Sequence, residues 1–322
     1  MNRFLLVVPA HNEAAHLPAV LASLAAQTLD RDCWRVVIVD DSSTDATAEI
    51  ARAWLATERI AGEVMQVAAR SIPRALNAGI ALARANECIV RLDAHTIYGA
   101  DYLARIDAAF TRLGAHVWMV GGAQIPAPAA SFSHRLVVSL MTSRMGLGGA
   151  AFRTATVPQQ TTSVYLGAFR PGVLARVGGY DERWQANEDA ELAARIAAAG
   201  GEIWWIPLQS AYRVNRGPLK TLSQLARYGY WRGRTLRRHP HLARPRHIAP
   251  PVALLGASAL LARGAVRTVA LGALVYGAAV IAQRPRDEAR TMTAAALVFF
   301  PLAHVAFAAG LLRGLLTFGR ST

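Results

Sequence analysis

One apolar run in the chain ends in a carboxylate and, two residues later, an imidazole: Cys88-Ile89-Val90-Arg91-Leu92-Asp93-Ala94-His95-Thr96. If this run is a strand of a doubly wound sheet, Asp93 lies at its carboxyl end, where such sheets bind ligands. Residues i and i+2 of an extended segment point the same way, so Asp93 and His95 are candidates to share one divalent cation and, through it, a diphosphate. The alternative is a strand that simply ends in an Asp-containing turn.

The segments around this run predict a mostly parallel α/β sheet. Apolar runs typical of buried strands alternate with segments whose apolar residues recur at helical spacing. Strands that alternate with helices in this way favour a mostly parallel sheet. Besides the strand that ends at Asp93, the predicted strands are 4–9, 36–39, 64–68 and 117–124. The predicted helices are 17–27, 46–55, 74–86 and about 188–199.

This layout suits a nucleotide, but it lacks the fingerprints of two large nucleotide-binding classes. The first predicted strand is followed by Pro-Ala-His-Asn-Glu at residues 9–13, with no Gly-x-Gly-x-x-Gly and no Gly-Lys-Ser/Thr. The later glycine pairs, Gly121-Gly122 among them, do not open a helix in the required context. The sequence therefore disfavours a dinucleotide-dependent oxidoreductase and a P-loop enzyme.

The charge of the chain indicates an anionic partner. Its 322 residues include 35 Lys and Arg against 21 Asp and Glu, a net charge of +14. No acidic residue lies between Glu202 and Asp287, while arginines crowd residues 213–246 and lead into an apolar C-terminal region. A basic belt beside apolar segments favours an anionic membrane surface on the cytoplasmic side, with no nucleic acid as partner.

The two cysteines and the N-terminal run agree with a cytoplasmic catalytic half. Cys33 and Cys88 belong to no Cys-x-x-Cys pair and lie in or beside apolar runs, which predicts free thiols in a reducing compartment. The apolar run at 4–9 is too short for the core of a signal peptide and is predicted to be the first buried strand.

Five motifs in a fixed order carry a resemblance to a known family. They are Pro-x-x-Asn-Glu at 9–13, Val-Asp-Asp-Ser-Ser-Thr-Asp at 39–45, Ala-Leu-Asn-Ala-Gly-Ile at 75–80, Arg-Leu-Asp-Ala-His-Thr at 91–96 and Asn-Glu-Asp-Ala-Glu-Leu at 187–192. With them the chain resembles family 2 glycosyltransferases over roughly residues 4–246. More narrowly, its Asp-x-His is similar to that of the bacterial membrane-associated group of succinoglycan-biosynthesis glucosyltransferases.

The resemblance implies a GT-A fold, a Rossmann-like, mixed and mostly parallel sheet, and assigns a nucleotide site. Asp41 is expected to accept a hydrogen bond from the base, with Asp40 the second candidate. Asp93 is expected to bind the Mn²⁺ or Mg²⁺ that bridges the diphosphate. His95 is expected either to bind this metal, to donate to a phosphate oxygen, or only to pack. The full set of expected nucleotide-binding residues is Pro9, Asn12, Glu13, Asp41, Asn77 and Asp93.

The resemblance also assigns the acid–base chemistry and the acceptor side. Asp189 matches the family's catalytic base, which takes a proton from an acceptor hydroxyl as that oxygen attacks the anomeric carbon, with inversion of configuration. Glu188 and Glu191 are the runners-up for this role, although acidic residues also suit the first turn of a helix without any function. Glu188 is also expected to contact the acceptor or its diphosphate. Gln224, Arg227 and Tyr228 resemble the Gln-x-x-Arg-Trp element of processive relatives, with a role toward the acceptor or its diphosphate.

Two departures from the family pattern limit these assignments. Tyr228 replaces the Trp of the processive element, which argues against processive synthesis and leaves open a basic helix on lipid headgroups. Ser71-Ile72 stands where many relatives carry Gly-Lys. This difference argues against Arg70 and Arg74 as contacts of the phosphates.

The C-terminal region is expected to associate with a membrane. Segments 249–262, 268–282 and 292–312 are strongly apolar, but only the last reaches the roughly 20 residues of a full span. The predicted division is therefore a catalytic domain over 1–246, with basic interfacial helices at 213–246, followed by membrane-associated or transmembrane helices over 247–322. An even number of crossings would leave Arg313 and Arg320 in the cytoplasm. A glycine-rich stretch at 145–149 is expected to be either a loop that closes over a ligand or a plain linker.

These features predict an inverting, metal-dependent glycosyltransferase of the cytoplasmic membrane. It would move a sugar from a nucleotide-sugar donor, a UDP-hexose, to a polyprenyl-diphosphate-linked oligosaccharide in exopolysaccharide or cell-envelope synthesis. Three alternatives remain at this point: a polyprenyl-phosphate sugar synthase, a non-catalytic membrane scaffold that retains the fold, and, from charge alone, a nucleic-acid-binding protein.

Overall fold

The structure is a computed structural model, and it describes residues 3–129, 131–147, 155–214, 216–283 and 289–317. In chain order its strands and α-helices are β1 (Phe4–Ala10), α1 (Leu17–Ala25), β2 (Trp34–Asp41), α2 (Thr47–Glu58), β3 (Gly62–Val67), α3 (Ile72–Ile80), β4 (Cys88–Arg91), β5 (Thr96–Tyr98), α4 (Tyr102–Arg112), β6 (Val117–Gly122), α5 (Phe132–Thr142), β7 (Gln159–Gln160), β8 (Tyr165–Phe169), α6 (Val173–Val177), α7 (Glu188–Ala198), β9 (Glu202–Trp205), β10 (Ser210–Tyr212), α8 (Pro218–Arg238), α9 (Pro245–Ala262), α10 (Val266–Ala282) and α11 (Arg290–Leu316).

The chain divides into two compact units. The first comprises Met1–Ile125 and Ala151–Arg213, and the second comprises Pro126–Ala150 and Val214–Thr322. The first unit contains the sheets, and the second contains α5 and the four helices from α8 onward. The functional boundary that the sequence suggests, at residue 246, stays a prediction.

The first unit is built on a mixed, mostly parallel sheet, as the sequence predicts. Its strand order is β3-β2-β1-β4-β8-β6-β9-β7, and β5 pairs with β10 in a separate ribbon. The pairs β1–β2, β1–β4, β2–β3 and β6–β9 are parallel, whereas β8 runs antiparallel to both β4 and β6. The fold class expected from the alternation of strands and helices is thereby confirmed.

Strand β1 is apolar at every position because helices cover both faces of the sheet. Along β1, Phe4, Leu6 and Val8 join the hydrophobic core on one face, while Leu5 and Val7 join the core on the other. A strand buried on both faces has a continuous apolar run instead of an alternating one. This continuous run is why the strand could be predicted from the sequence.

Several predicted elements end earlier than expected. The predicted helix at 74–86 stops at Ile80, because the following residues turn so that Glu87 meets Arg35. The carboxylate of Glu87 also accepts from the backbone N–H of Arg84, and Arg35 donates to the carbonyl of Leu82. The predicted strand that ends at Asp93 stops at Arg91.

In the second unit α8 and α11 pack backbone against backbone. A Cβ atom added to Gly310 would clash with the carbonyl oxygen of Ala226, and one added to Gly314 would clash with that of Tyr230. Gly229 and Gly233 on α8 face α11 in the same way. The four glycines form two Gly-x-x-x-Gly pairs, the pattern that lets helices approach closely without intervening side chains.

The three predicted apolar segments form α9, α10 and α11. Among the described residues, α11, with 27 residues, is the one helix long and apolar enough to cross a membrane by length and composition, and α10 is a shorter apolar helix. Gly148 and Gly149 of the expected closing loop, and Arg320, lie outside the described residues.

Candidate active site

Polar side chains collect at one edge of the sheet in the first unit. Strands β1, β2 and β4 are parallel neighbours, so their carboxyl ends lie at the same edge. Ala10 pairs with Asp40 and Pro9 with Val39, while β1 pairs with β4 only as far as Val7 and Arg91. Proline has no backbone N–H to donate. Pro9 lies beyond the last residue of β1 that pairs with β4, so this pairing does not need an N–H from it. The segments after β1, at the end of β2 and after β4 all reach this edge.

Asn12 joins the segment after β1 to the loop after β2. Its backbone, with φ of 53°, is in the left-handed region that Asn tolerates better than most residues. Its N–H donates to Oγ of Ser43 at 2.9 Å, and its Oδ1 accepts from the N–H of Thr44 at 2.8 Å. These bonds hold the two loops together, and contact of Asn12 with a nucleotide stays a prediction.

Asp41 accepts three backbone hydrogen bonds from one loop. Its Oδ1 accepts from the N–H groups of Ala69 and Arg70 at 2.8 and 2.7 Å, and its Oδ2 accepts from that of Ser71 at 3.0 Å. A carboxylate has about four acceptor positions, so one remains for a further donor. Asp40, which is 1% exposed, accepts from the N–H of Ser43 at 3.3 Å.

Glu13 lies between two histidines. Its Oε2 is 3.0 Å from Nδ1 of His16, and its Oε1 is 3.3 Å from Nδ1 of His95. Burial alone would raise the pKa of Glu13, but its contacts with His95 and His16 lower it below the ordinary value. His95 also packs edge-on against Tyr212, with ring centroids 5.1 Å apart. Glu13 is therefore an ionised group that links the segment after β1 to His95.

The segment that carries Asp93 and His95 is a turn, the alternative that the sequence left open beside an extended segment. Residues 94 and 95 form the turn between β4 and β5, and the hydroxyl of Tyr98 closes it. That hydroxyl accepts from the N–H of Asp93 at 2.7 Å and lies 3.2 Å from its carbonyl oxygen. The argument that i and i+2 side chains point the same way therefore does not hold here.

Tyr165 holds the side chain of Asp93. Its hydroxyl lies 3.0 Å from Oδ2 of Asp93 and 2.8 Å from Oγ1 of Thr96. Burial raises the pKa of Tyr165 well above its usual range, and the charge of Asp93 raises it further. Tyr165 therefore stays protonated and can donate to the Asp93 carboxylate.

Arg91 connects Asp93 to the first turn of α7. One of its terminal nitrogens is 3.0 Å from Oε1 of Glu188, and the other is 4.0 Å from Oδ1 of Asp93. Burial raises the pKa of Glu188, as does the neighbouring charge of Asp189, while Arg91 opposes both effects. Asp189 itself is half-buried, and its Oδ1 accepts from the N–H of Ala190 at 2.8 Å. One cation thus contacts both Asp93, the predicted metal ligand, and Glu188, which precedes the predicted base Asp189 in the chain.

Asn77 joins α3 to the segment before α7. Its side-chain amide donates to the carbonyl of Tyr180 at 2.8 Å, and its Oδ1 accepts from the N–H of Tyr180 at 2.9 Å. The same amide lies 3.2 Å from Oε1 of Glu182. These contacts give Asn77 a role in positioning the chain before α7, and its contact with a nucleotide stays a prediction.

The donor set at this edge fits a divalent cation only together with substrate phosphates. Within the described residues, no group of three or more His, Cys, Asp or Glu side chains is placed to hold a metal. Asp93 supplies a carboxylate that is 17% exposed, and His95 supplies an imidazole. Mg²⁺ and Mn²⁺ are commonly bound by one or two carboxylates plus the phosphates of a substrate, so the chemistry of Asp93 fits such an ion.

Of the four predicted acceptor residues, Glu188 lies at the start of α7 in the first unit, and the other three lie on α8 in the second unit. Arg227 and Tyr228 are exposed. Nε2 of Gln224, one turn earlier on the helix, donates to the hydroxyl of Tyr228 at 2.8 Å. The basic helix therefore presents a cation and an aromatic ring next to each other. Their role toward an acceptor stays a prediction.

Sequence reasoning missed Arg91, Tyr98 and Tyr165 as members of the site. Arg91 had a local signal, because a charged residue inside a run that is otherwise apolar needs a partner in the sheet interior. Tyr98 and Tyr165 had none, because their hydroxyls reach Asp93 only through the tertiary fold.

The sequence of the chain matches a known family. Residues 5–156 match the model described as Glycosyl transferase family 2. The chain is also 32% identical over 326 residues to the succinoglycan biosynthesis protein ExoA of Rhizobium meliloti (strain 1021), a match that covers 98% of this chain and 96% of the relative.

Solved structures of similar fold agree with this match. The mannosyltransferase PcManGT of Pyrobaculum calidifontis, in complex with GDP-Man and Mn²⁺, superposes with a TM-score of 0.62 at 22% identity, over 98% of this chain and 87% of that one. Residues 1–349 of S. aureus TarS, in complex with UDP-GlcNAc, superpose with a TM-score of 0.52 at 16% identity, over 98% and 89%. At these identities the likeness concerns the fold.

Proposed function

The chain belongs to glycosyl transferase family 2, and from this premise we propose that it is an inverting glycosyltransferase that uses a nucleotide-sugar donor, a UDP-hexose. The acceptor is a polyprenyl-diphosphate-linked oligosaccharide, and the product belongs to an exopolysaccharide or another cell-envelope glycan. The observation that carries the proposal is the convergence of Asp41, Asp93 and Glu13 at the carboxyl edge of the sheet, with Asp189 joined to them through Glu188 and Arg91.

The nucleotide is proposed to bind across the ends of β1 and β2. Asp41 has one acceptor position left after its three bonds to the loop at 69–71, and that position suits an imide N–H of a base. Pro9, Asn12 and Glu13 form the segment beneath the nucleotide, and Asn77 supports the wall beside it.

The diphosphate is proposed to lie over Asp93. A divalent cation, Mn²⁺ or Mg²⁺, would be held by Asp93, with His95 as a second candidate ligand, and would neutralise charge on the departing nucleoside diphosphate. The hydroxyl of Tyr165 orients the carboxylate of Asp93. Glu13 fixes the orientation of His95.

The reaction itself is proposed to be a single displacement. Asp189 accepts the proton of the acceptor hydroxyl while that oxygen attacks the anomeric carbon and the nucleoside diphosphate leaves from the opposite face. No covalent intermediate on the protein is needed, so an α-linked donor gives a β-glycoside. Glu188 stays paired with Arg91 and does not take the proton.

The second unit is proposed to hold the enzyme at the inner membrane, with the catalytic domain, residues 1–246, facing the cytoplasm. Long apolar side chains on α9, α10 and α11 are exposed, among them Val252, Leu271, Leu274 and Val298. An exposed apolar surface of this extent suits a lipid environment. The basic helix α8 supplies cations for the lipid-linked diphosphate through Arg227, with Gln224 and Tyr228 toward the acceptor sugar.

The decisive experiment measures release of nucleoside diphosphate from a panel of nucleotide sugars, UDP-hexoses and GDP-mannose included. The protein is purified in detergent with a lipid-linked acceptor and assayed with Mn²⁺, with Mg²⁺ and with a chelator. We expect turnover of one donor that requires the metal and is lost in Asp93→Ala. Turnover that is insensitive to both the chelator and Asp93→Ala would contradict the proposal.

A further inference from the structure

Arg91 is a buried cation inside the sheet of the catalytic unit. It is the last residue of β4 and pairs with Val7 of β1, and its side chain is 12% exposed. A cation removed from water in this way is costly unless it is paired. Its partners therefore indicate why the chain keeps an arginine at this position.

Three groups from three different segments surround this guanidinium. Glu188 at the start of α7 lies 3.0 Å from one terminal nitrogen, and Asp93 after β4 lies 4.0 Å from the other. The ring of Tyr180, from the segment before α7, lies 5.6 Å from the guanidinium carbon. Arginine suits this position because its planar fork can serve two carboxylates at once, which a lysine ammonium does less well.

Other buried arginine–carboxylate pairs in the same unit are connected differently. Arg35 binds Glu87 with two nitrogens and donates to the carbonyl of Leu82. Arg195 binds Glu191 and donates to two backbone carbonyls. These two arginines hold the backbone, whereas the described partners of Arg91 are side chains of the candidate site.

An arginine keeps its positive charge inside a protein. The guanidinium of Arg91 therefore places a fixed positive charge between Glu188 at the start of α7 and Asp93 after β4.

We propose that Arg91 is a positioning residue that fixes the first turn of α7, and with it Asp189, relative to Asp93. The inference rests on the proposed function, in which Asp93 serves the diphosphate and Asp189 serves the acceptor hydroxyl. Arg91 touches neither substrate. It acts through Glu188, which precedes Asp189 in the same helical turn.

The test compares Arg91→Gln with Arg35→Gln, a matched control that breaks a buried arginine–carboxylate pair of the same sheet away from the site. Three quantities are measured: the melting temperature, binding of UDP with Mn²⁺ by calorimetry, and kcat and KM for the donor. We expect both variants to melt earlier. We expect kcat to fall about 10–100-fold, the usual loss when a partner of a site ligand is removed, only in Arg91→Gln, with UDP binding retained.

Two further variants make the test independent of folding losses. Arg91→Lys keeps a positive charge at the position, and we expect it to fold and to recover part of kcat. The double variant Arg91→Gln/Glu188→Gln is expected to be no slower than the slower single variant, since both changes remove the same link. Equal kcat in Arg91→Gln and Arg35→Gln, or additive losses in the double variant, would overturn the inference.

Failure of the proposed function has a different signature. In that case the wild-type protein neither binds UDP with Mn²⁺ nor turns over any donor, and the role of Arg91 is rejected together with it. Wild-type turnover combined with an Arg91→Gln variant whose kcat matches that of Arg35→Gln rejects the role of Arg91 alone.

Discussion

The hydroxyl of Tyr165 lies 3.0 Å from Oδ2 of Asp93, although the two residues belong to segments far apart in the sequence. Tyr165 opens β8, and Asp93 follows β4, its antiparallel neighbour in the sheet. The backbone is irregular at this point, since Leu166 has φ of 48° and the pairing of β8 with β6 shifts register. The irregularity lies next to Tyr165, at the start of the strand, where it can direct a side chain out of the regular ladder.

Tyr165→Phe removes only this hydroxyl, and we expect it to weaken the binding of the metal by the enzyme. The Asp93 carboxylate loses a donor that fixes its orientation, so the Mn²⁺ concentration for half-maximal activity should rise about tenfold or more. The measurement is a Mn²⁺ titration at saturating donor. Thr96→Val is the matched variant, because it removes the other partner of the hydroxyl and leaves the contact with Asp93 in place. A Tyr165→Phe enzyme that titrates like the wild type would contradict this role.

The local sequence was enough to predict which polar residues follow the neighbouring strands β1, β2 and β4. Apolar runs marked β1, β2 and β4, and the polar residues after each run then had to meet, because parallel strands end at one edge. Asp41, Glu13 and Asp93 lie there as expected. The resemblance added a role for each residue, which spacing alone does not provide.

The sequence could not show which partner each side chain finds across the fold. Whether the residues after β4 continue the strand or turn depends on the hydroxyl of Tyr98, which bonds the backbone of Asp93. The end of α3 depends on the pairing of Arg35 with Glu87, which turns the chain after Ile80. Such contacts override local propensity, because a charge buried without its partner costs more than the small preference of a few residues for helix or strand.

The Arg35–Glu87 pair gives the protein a stability that depends on pH. Burial would raise the pKa of Glu87, but hydrogen bonds and charge from Arg35, with the N–H of Arg84, lower it below the ordinary value. A lowered native pKa means that this stabilisation is complete above the unfolded-state pKa of about 4.3 and is lost as pH falls through the native pKa. We therefore expect Glu87→Gln to lower the melting temperature at pH 7 and to differ less from the wild type as pH falls below 4.

The control for this prediction is Glu58→Gln. Glu58 pairs with Arg31 at 3.1 Å on the surface, where both side chains are exposed, and surface pairs contribute little to stability. Its melting temperature should follow the wild type at each pH. If Glu87→Gln had the same melting temperature as the wild type at pH 7, the buried pair would not be a source of stability.

The glycines between α8 and α11 should tolerate no side chain. In Gly310→Ala the new Cβ would meet the carbonyl oxygen of Ala226, so the helices must move apart, at a cost of about 1–3 kcal/mol for an overpacked site. Gly272→Ala on α10 is the matched control, because nothing lies within 4 Å of its added Cβ. We expect thermal unfolding in detergent to begin earlier for Gly310→Ala and not for Gly272→Ala. Equal melting of the two variants would contradict close packing.

Arg227 is predicted to act on the acceptor and not on the donor. Its exposed guanidinium on α8 is placed beside Tyr228, so Arg227→Gln should raise KM for the lipid-linked acceptor and leave KM for the nucleotide sugar unchanged. Lys220→Gln removes an exposed charge from the same helix and serves as the control. If both variants raise the acceptor KM equally, the helix contributes only general positive charge at the membrane surface.

Asp189→Asn tests the chemistry of the site most directly. The amide keeps the size of the side chain and its place in the first turn of α7 but cannot accept a proton, so transfer should fall about 10²–10⁴-fold, the usual contribution of a general base. Binding of UDP with Mn²⁺ should persist, because Asp41 and Asp93 are untouched. Asp181→Asn, in the segment before α7, removes a carboxylate that pairs with Arg183 at 2.7 Å, and we expect it to keep normal transfer. An Asp189→Asn enzyme that transfers sugar at the wild-type rate would show that another group takes the proton, and Glu188, the nearest carboxylate in the helix, would then be the residue to replace.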